Sequence, residues 1–356
     1  MSLEKQRKSI DEVDEKILEL LGKRIGLAKE IGKEKKNEKI SIYDPVREQE
    51  VLEKLYKKNK GKVELKDLEG IFREIFSASR KAQGNLKIAF LGPETTFTHA
   101  AALKHFGSAP EYKAKDSIKE VFRAVEKGEA EFGVVPIENT LEGSVTRTYD
   151  LFLYSNLKIV AEIAHEINHN LISNHRLRDI KKLYTHPMAL AQCKNWVAKN
   201  LPKAEIMEVS STAKGVESAS LYINSAGIGT KLAAKKYGLQ VLAENIQDKA
   251  GNYTRFLVIG KKSMEKAEKC KTSIVFSVKH ESGALFNALQ SLKDDNINMT
   301  KIESRPTKNK NWEYVFFVDF EGHEQDAKVK KAFKDLEKST SFIKVLGSYP
   351  QKARFE

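Results

Sequence analysis

The chain has 356 residues, 40% hydrophobic and 31% charged, with 62 Lys and Arg against 49 Asp and Glu for a formal net charge of +13. That length exceeds one ordinary domain, and the composition excludes wholesale disorder. The excess cations raise nucleic acid as a partner, but lysines alternate with glutamates along the whole chain and no RNA- or DNA-binding signature is present, so no nucleic-acid partner is expected and small anionic substrates are the better explanation for any functional arginines.

Residues 3–84 carry helical periodicity and almost no strand signal. In the first helix Ile10, Val13, Ile17, Leu20, Leu27 and Ile31 form a heptad seam. The pattern runs from Leu3 to Lys36, roughly 50 Å at 1.5 Å per residue. Two short companion helices cannot bury that length, so the seam implies a second copy of the chain. Arg24 stands on the seam. It is either a buried or snorkelling ion-pair partner or part of an anion site; Lys35, about 20° from it around the axis, strengthens the second reading. The next helix opens with Asp44 as N-cap and Pro45 in the first turn, and places Asp44, Arg47, Glu48, Val51, Leu52 and Leu55 on one face. The third carries Leu68, Phe72, Ile75 and Phe76, and its stripe continues into Ser79 and Gln83. All three apolar stripes therefore turn polar.

From 86 to 262 short β-branched runs alternate with helical patterns. Lys87–Leu91 is a strand ending at Gly92-Pro93, and Glu94–Ala101 opens a helix, a natural but unspecific anion site. Phe132–Val135 is a strand closed by Pro136, with Glu138, Asn139 and Thr140 at its mouth and Gly143-Ser144 leading into a helix. Tyr184–Pro187, Ser210–Ala213 and Asn252–Phe256 each border a short apolar strand, so the set can face one cleft. Capping and turn chemistry would explain any one of them alone. His99 and His186 are tempting acids, but turn-stabilising roles suit them better. From Thr272 the order is β-α-β-β-α-β: strands at Thr272–Val278, Ile297–Ser304, Glu313–Phe320 and Ile343–Leu346, with helices at Gly283–Leu292 and Asp326–Leu336. This is the ferredoxin-like arrangement. It holds no cluster of acid, base or nucleophile, which favours binding over catalysis. Cys193 and Cys270 lie outside any CxxC pair or histidine cluster, and no apolar run reaches spanning length, so no metal, disulfide framework or membrane partner is expected, and the location is read as cytoplasmic.

The spacing Arg7-x6-Asp14-Glu15-x8-Arg24-x10-Lys35, then Asp44-Pro45-Val46-Arg47-Glu48, then Ser79-x3-Gln83 resembles the all-helical chorismate mutases, intertwined dimers of three helices per chain. Gly92-Pro93, Val135–Thr140, Ser211-Thr212-Ala213 and Thr254-Arg255-Phe256 resemble prephenate dehydratase in order, a two-lobed α/β fold like a periplasmic binding protein. Gly283-Ala284-Leu285 and Glu303-Ser304-Arg305-Pro306 resemble an ACT regulatory domain of the phenylalanine-sensing kind. The whole chain is therefore similar to the bifunctional chorismate mutase/prephenate dehydratases, with modules at 1–84, 86–262 and 272–356.

The resemblance implies that Arg7 and Arg24 clamp the two carboxylates of chorismate. Arg7 lies about 100° off the Arg24 face, so it would serve the partner's site. Lys35 and Gln83 would donate to the breaking ether oxygen, and Glu48 would hold the ring hydroxyl, supported by Asp44, Arg47 and Ser79. Thr254 would act on the leaving hydroxyl of prephenate. Glu138, Asn139, Thr140, Ser144, Thr212 and Arg255 would bind that substrate, with Glu138 open to a proton-relay or a strut role and Arg255 to a structural ion pair. Gly283, Ala284, Leu285, Glu303, Ser304, Arg305 and Pro306 would take L-phenylalanine as feedback inhibitor, at the interface of paired regulatory domains. No cofactor is implied, and the expected assembly is a homodimer or a dimer of dimers. An arogenate-using dehydratase and a phenylalanine sensor with inactive sites are the rival readings. The loop after Pro93 departs from the family pattern, reading Glu-Thr-Thr-Phe-Thr-His where a glycine often stands.

Overall fold

The computed structural model describes residues 2–38, 40–306 and 314–351. Glu313, expected to start a strand, and residues 352–356 at the end of the C-terminal segment lie outside them. The chain divides into two compact units, residues 1–88 with 103–112, and residues 89–102 with 113–356.

The first unit is built on three helices, α1 (Leu3–Asn37), α2 (Pro45–Asn59) and α3 (Leu65–Gln83). The Ser2 hydroxyl caps α1 by accepting from the Lys5 N–H, and Asp44 caps α2 by accepting from the Arg47 N–H at 2.9 Å, each satisfying a donor the helix start leaves over. Only Ala28 and Gly32 of α1 are buried. The heptad seam stays open, with Ile17 48% and Leu20 66% exposed. Gly32 marks the point where α1 meets α3: a Cβ there would lie 2.6 Å from the Cα of Gln83.

The described residues form three sheets, all in the second unit except Lys87, Ile88, Glu111 and Tyr112, which the division assigns to the first. One has six strands in the order Glu111–Lys115, Lys87–Leu91, Phe132–Asn139, Tyr253–Gly260, Lys158–Glu166, with Gly143–Ser144 added beside Phe132–Asn139. Its central strands are buried runs, as Phe132 to Val135 shows, because layers cover both faces. Another has five strands in the order Gln240–Ala243, Asn170–Ser173, Ser225–Gly229, Lys182–Thr185, Glu205–Glu208. The chain crosses between these two lobes after Glu166 and before Tyr253. The crossovers are tied by Ile167 N–H to the Asn252 carbonyl at 2.7 Å and Ile246 N–H to the His169 carbonyl at 2.8 Å.

The third sheet runs Met299–Pro306, Tyr314–Glu321, Cys270–Ser277, Phe342–Pro350, the ferredoxin-like order expected from the element sequence. Helices Ala284–Asp294 and Ala327–Ser339 cover one face, over Ile274, Phe276, Val318 and Phe320. The other face contributes Val275, Phe317 and Tyr349 to the same core as Phe122, Phe152 and Ile159 of the six-stranded lobe. A Cβ at Gly347 would overlap the Ile159 backbone, so glycine permits this close approach.

Candidate active sites

In the first unit, residues from all three helices gather on facing sides. The Arg24 guanidinium donates to the Ser79 hydroxyl and, at 3.5 Å, to the Ile75 carbonyl, and it lies 5.5 Å from the centre of the Phe76 ring. Burial lowers its pKa, opposed by the Glu48 carboxylate. Lys35 Nζ donates to the Ile42 carbonyl at 3.4 Å. Glu48 is ion-paired with Arg80; burial pushes its carboxyl up, while Arg80 and, more weakly, Lys35 pull it down. Gln83 Oε1 is buried without a hydrogen-bond partner among the described residues, beside Gly32. The seam arginine thus meets the Ser79 hydroxyl and the field of the Glu48 carboxylate. Asp44 is the α2 cap, and Arg47 reaches Glu50 at 3.0 Å on the surface. Arg7 is exposed, roughly 25 Å along α1 from Arg24 at 1.5 Å per residue.

Arg80 was missed in the sequence. It is 2% exposed, donates to the Phe106 carbonyl at 2.5 Å, and stands 5.8 Å from the Tyr43 ring centre. Its spacing of four from Phe76 put it on the buried stripe, and that was the available signal.

In the second unit the site forms where the crossovers meet the six-stranded sheet. Asn139 stands directly opposite Thr254 in the antiparallel register. Its side-chain oxygen accepts from the Leu141 and Glu142 N–H groups at 2.9 and 3.0 Å. Backbone N–H groups only donate, so the amide orientation is fixed and its NH₂ faces the other way. That NH₂ donates to Thr254 Oγ1 at 2.8 Å, to Asn252 Oδ1 at 2.7 Å and to the Tyr253 carbonyl at 3.1 Å. Thr254 therefore accepts from Asn139 and keeps its own proton for another acceptor.

The network continues into the other lobe. Asn252 donates to Gln192 Oε1 at 2.9 Å, His169 Nε2 lies 2.9 Å from the same oxygen, and Gln192 donates to Glu142 at 3.0 Å. Since that oxygen can only accept, His169 carries its proton on Nε2; burial lowers its pKa and Gln192 opposes this. Gln192 and His169 carried no motif in the sequence. Thr140 ties the neighbouring loop by accepting from the Tyr253 N–H at 3.0 Å. Ser144 pairs in register with Glu138. Thr212 opens the helix Thr212–Leu221, capped by the Ser211 hydroxyl.

Glu138 and Arg255 point elsewhere. They form the next pair in the register, and strand alternation sends their side chains to the opposite face. Arg255 donates to Glu162 at 2.8 Å, Glu138 at 3.1 Å and the Tyr349 hydroxyl at 3.0 Å, and pairs with Asp319 at 2.7 Å; Glu138 also pairs with Lys301. These contacts occupy the guanidinium, so the ion-pair alternative describes Arg255 and the strut alternative Glu138, rather than the substrate-ligand role.

His99 Nδ1 accepts from the Thr95 N–H at 3.0 Å and His186 Nδ1 from the Met188 N–H at 3.3 Å, the turn-stabilising roles expected. Thr95 takes φ +69°, the left-handed region where glycine is at home. The departure after Pro93 thus keeps a turn at the cost of a β-branched residue in it.

In the C-terminal sheet a cavity of about 220 Å³ is lined by Gly283, Ala284 and Leu285 together with Tyr314 and Phe316. Ser304 and Pro306 lie opposite Phe316 and Tyr314 in the register. Glu303 and Arg305 alternate to the other face; Arg305 reaches Thr146 Oγ1 at 3.3 Å and Asp150 at 3.8 Å.

A three-helix unit with polar side chains gathered on facing sides, a two-lobed α/β fold and a ferredoxin-like module define a multi-domain protein. Family profiles match in the same order: Chorismate mutase type II over residues 6–84, Prephenate dehydratase over 88–264 and ACT domain over 272–338. The bifunctional chorismate mutase/prephenate dehydratase of Aquifex aeolicus is 47% identical over 354 residues, covering 98% of each chain. That of Stutzerimonas stutzeri is 40% identical over 352 residues, covering 97% of this chain and 96% of the relative. The crystal structure of prephenate dehydratase in complex with L-Phe from Arthrobacter aurescens superposes with a TM-score of 0.69 at 34% identity, covering 75% of this chain and 90% of that one. The chain belongs to the bifunctional chorismate mutase/prephenate dehydratase family. It is an enzyme with both activities, and the inactive-sensor reading is not favoured. Among the described residues no helix is long and apolar enough to cross a membrane.

Proposed function

We propose that two copies of the chain pair along α1 to build the mutase sites, that the cleft at Asn139 and Thr254 dehydrates the product, and that L-phenylalanine binds the C-terminal module. The segments 1–84, 86–262 and 272–356 are the corresponding modules of a cytoplasmic enzyme. In the mutase site Arg24 holds one carboxylate of chorismate and the partner copy supplies the other clamp through Arg7. Lys35 and Gln83 donate to the ether oxygen as its bond to carbon breaks, where negative charge develops. The rearrangement moves no proton and needs no cofactor.

In the dehydratase step the ring hydroxyl of prephenate leaves as water, taking up one proton. The bond from the ring to its carboxylate breaks, releasing carbon dioxide, and its electron pair completes the aromatic ring of phenylpyruvate. Thr254 donates its hydrogen bond to the departing oxygen. The single observation carrying this reading is the locked Asn139 amide, which donates to Thr254 Oγ1 and so leaves the Thr254 proton free to be donated toward substrate. Thr140, Ser144 and Thr212 are proposed to bind the substrate's polar groups. The test supplies chorismate to purified enzyme and follows both chorismate loss and phenylpyruvate formation. Thr254→Val is expected to keep the first and to slow the second by about 10²–10³, the size of losing one aimed donor. Undiminished phenylpyruvate formation would remove Thr254 from the mechanism.

A further inference from the structure

Each cleft residue on the two central strands has a chain neighbour held by the C-terminal module. Asn139 follows Glu138, which pairs with Lys301. Thr254 precedes Arg255, which pairs with Asp319 at 2.7 Å and donates to Tyr349 at 3.0 Å. Asp319 and Tyr349 are themselves bridged by the Ser273 hydroxyl, at 2.5 and 2.8 Å. All three partners of that bridge lie on the C-terminal sheet, with Ser273 and Asp319 directly opposite each other. The sheet's other face carries Phe316, which lines the ligand cavity, two residues along the same strand from Val318 and three from Asp319.

We infer that Arg255 is a positioning residue for the dehydratase reaction, through which the C-terminal module acts on the Asn139–Thr254 pair. Arg255 touches no reacting atom. Its guanidinium fixes the strand backbone whose next residue is Thr254, and three carboxylates hold it: Glu138 and Glu162 from the dehydratase lobe and Asp319 from the C-terminal sheet. A shift of the C-terminal sheet moves Asp319 and Tyr349 against Arg255 directly, while Glu138 and Glu162 sit on strands of the dehydratase lobe and feel the sheet only through their own pairs with Lys301 and Lys271. The pull then falls on Thr254 and on Glu138, the neighbour of Asn139. An ångström of displacement is enough, because donor placement toward a developing charge is sharply distance-dependent. The transmission part of the inference rests on the effector reading given above; the positioning part does not.

The test uses full-length protein carrying Asp319→Asn or, separately, Tyr349→Phe. The first removes a charge without changing shape. The second removes only a hydroxyl and serves if the first folds poorly. Mutase turnover in the same tube reports folding. The expected result is a dehydratase kcat lowered about tenfold with KM for prephenate within about twofold, and half-inhibition by L-phenylalanine shifted at least about fivefold. A purely structural role would lower yield and melting temperature without this split. Wild-type kcat and wild-type half-inhibition in both folded variants would overturn the inference. A wild-type enzyme indifferent to phenylalanine, with kcat still lowered in the variants, would instead sink the effector assignment and leave Arg255 its positioning role.

Discussion

Gly32→Ala sets helix propensity directly against packing. Replacing a helix-interior glycine by alanine stabilises an unconstrained helix by about 1 kcal/mol. At position 32 the added methyl would lie 2.6 Å from Gln83 Cα, 2.9 Å from its Cβ and 3.0 Å from its carbonyl oxygen. Carbon atoms rest about 3.5–4.0 Å apart, so α1 and α3 must separate by roughly 1 Å. Rotation of the Gln83 side chain gives no relief, because the nearest atom is backbone. Overpacking of this kind costs about 1–3 kcal/mol, which outweighs the propensity gain. The displaced residue is the proposed ether-oxygen donor, and a misplacement of about 1 Å can cost about 10² in rate. The expected outcome is a mutase slowed by about that factor, a lowered melting temperature and unchanged dehydratase turnover. Gly22→Ala is the control: among the described residues, nothing beyond its chain neighbours and its own helix backbone lies within 4 Å of the added methyl, so it should stabilise. Turnover of chorismate and thermal melts of both variants decide the matter. A Gly32→Ala enzyme as stable as Gly22→Ala, with wild-type mutase activity, would refute the reasoning.

Asn139→Asp replaces the fixed NH₂ by a second acceptor, so Thr254 must turn its proton toward the carboxylate; dehydratase kcat is expected to fall by about 10²–10³, with chorismate loss as the unchanged control. Leu20→Glu puts a charge on the open α1 seam and is expected to yield single-copy mutase units of low activity; light scattering showing the wild-type mass at full mutase activity would count against pairing along α1. Acid stability is the fourth case. Burial raises the Asp319 carboxyl, but the Arg255 guanidinium and the Ser273 hydroxyl override it, and the net pKa lies below the usual carboxylate value. Its contribution is therefore complete above the unfolded value of about 3.9 and is lost as pH falls through the lowered folded value. Asp319→Asn should melt well below wild type at neutral pH, with the gap closing in acid; a gap independent of pH would remove the charge from the explanation.

The helical module was legible because its signal is a conflict. Polar groups at Arg24, Ser79 and Gln83 interrupt stripes that periodicity reserves for apolar residues, and only a shared polar site resolves all three at once. The open seam of α1 was legible for the same reason: a heptad longer than its own chain can cover leaves Ile17 and Leu20 exposed. Arg80 sits on the same stripe, yet one charged residue beside Ser79 and Lys81 reads as surface until Glu48 is seen against it. Gln192 and His169 gave no signal. Their roles come from the meeting of two crossovers far apart in sequence, and nothing in a short helix reading Pro187–Gln192 announces that its last residue spans two lobes.

The clearest limit of reading motifs is strand alternation. Glu138-Asn139 and Thr254-Arg255 each look like a single functional unit, and the resemblance offered all four as substrate ligands while leaving Glu138 and Arg255 open to structural roles. A period of two sends neighbours to opposite faces, and the antiparallel register then sorts them into pairs: Asn139 with Thr254 on one side, Glu138 with Arg255 on the other. One motif therefore faces two modules. The same rule divides Glu303-Ser304-Arg305-Pro306, where Ser304 and Pro306 fall opposite residues lining the C-terminal cavity while Arg305 reaches the helix Thr146–Tyr154 at Thr146 and Asp150. Two strands and one register are enough to put the proposed donor Thr254 one peptide bond from Arg255, which is held by the C-terminal sheet.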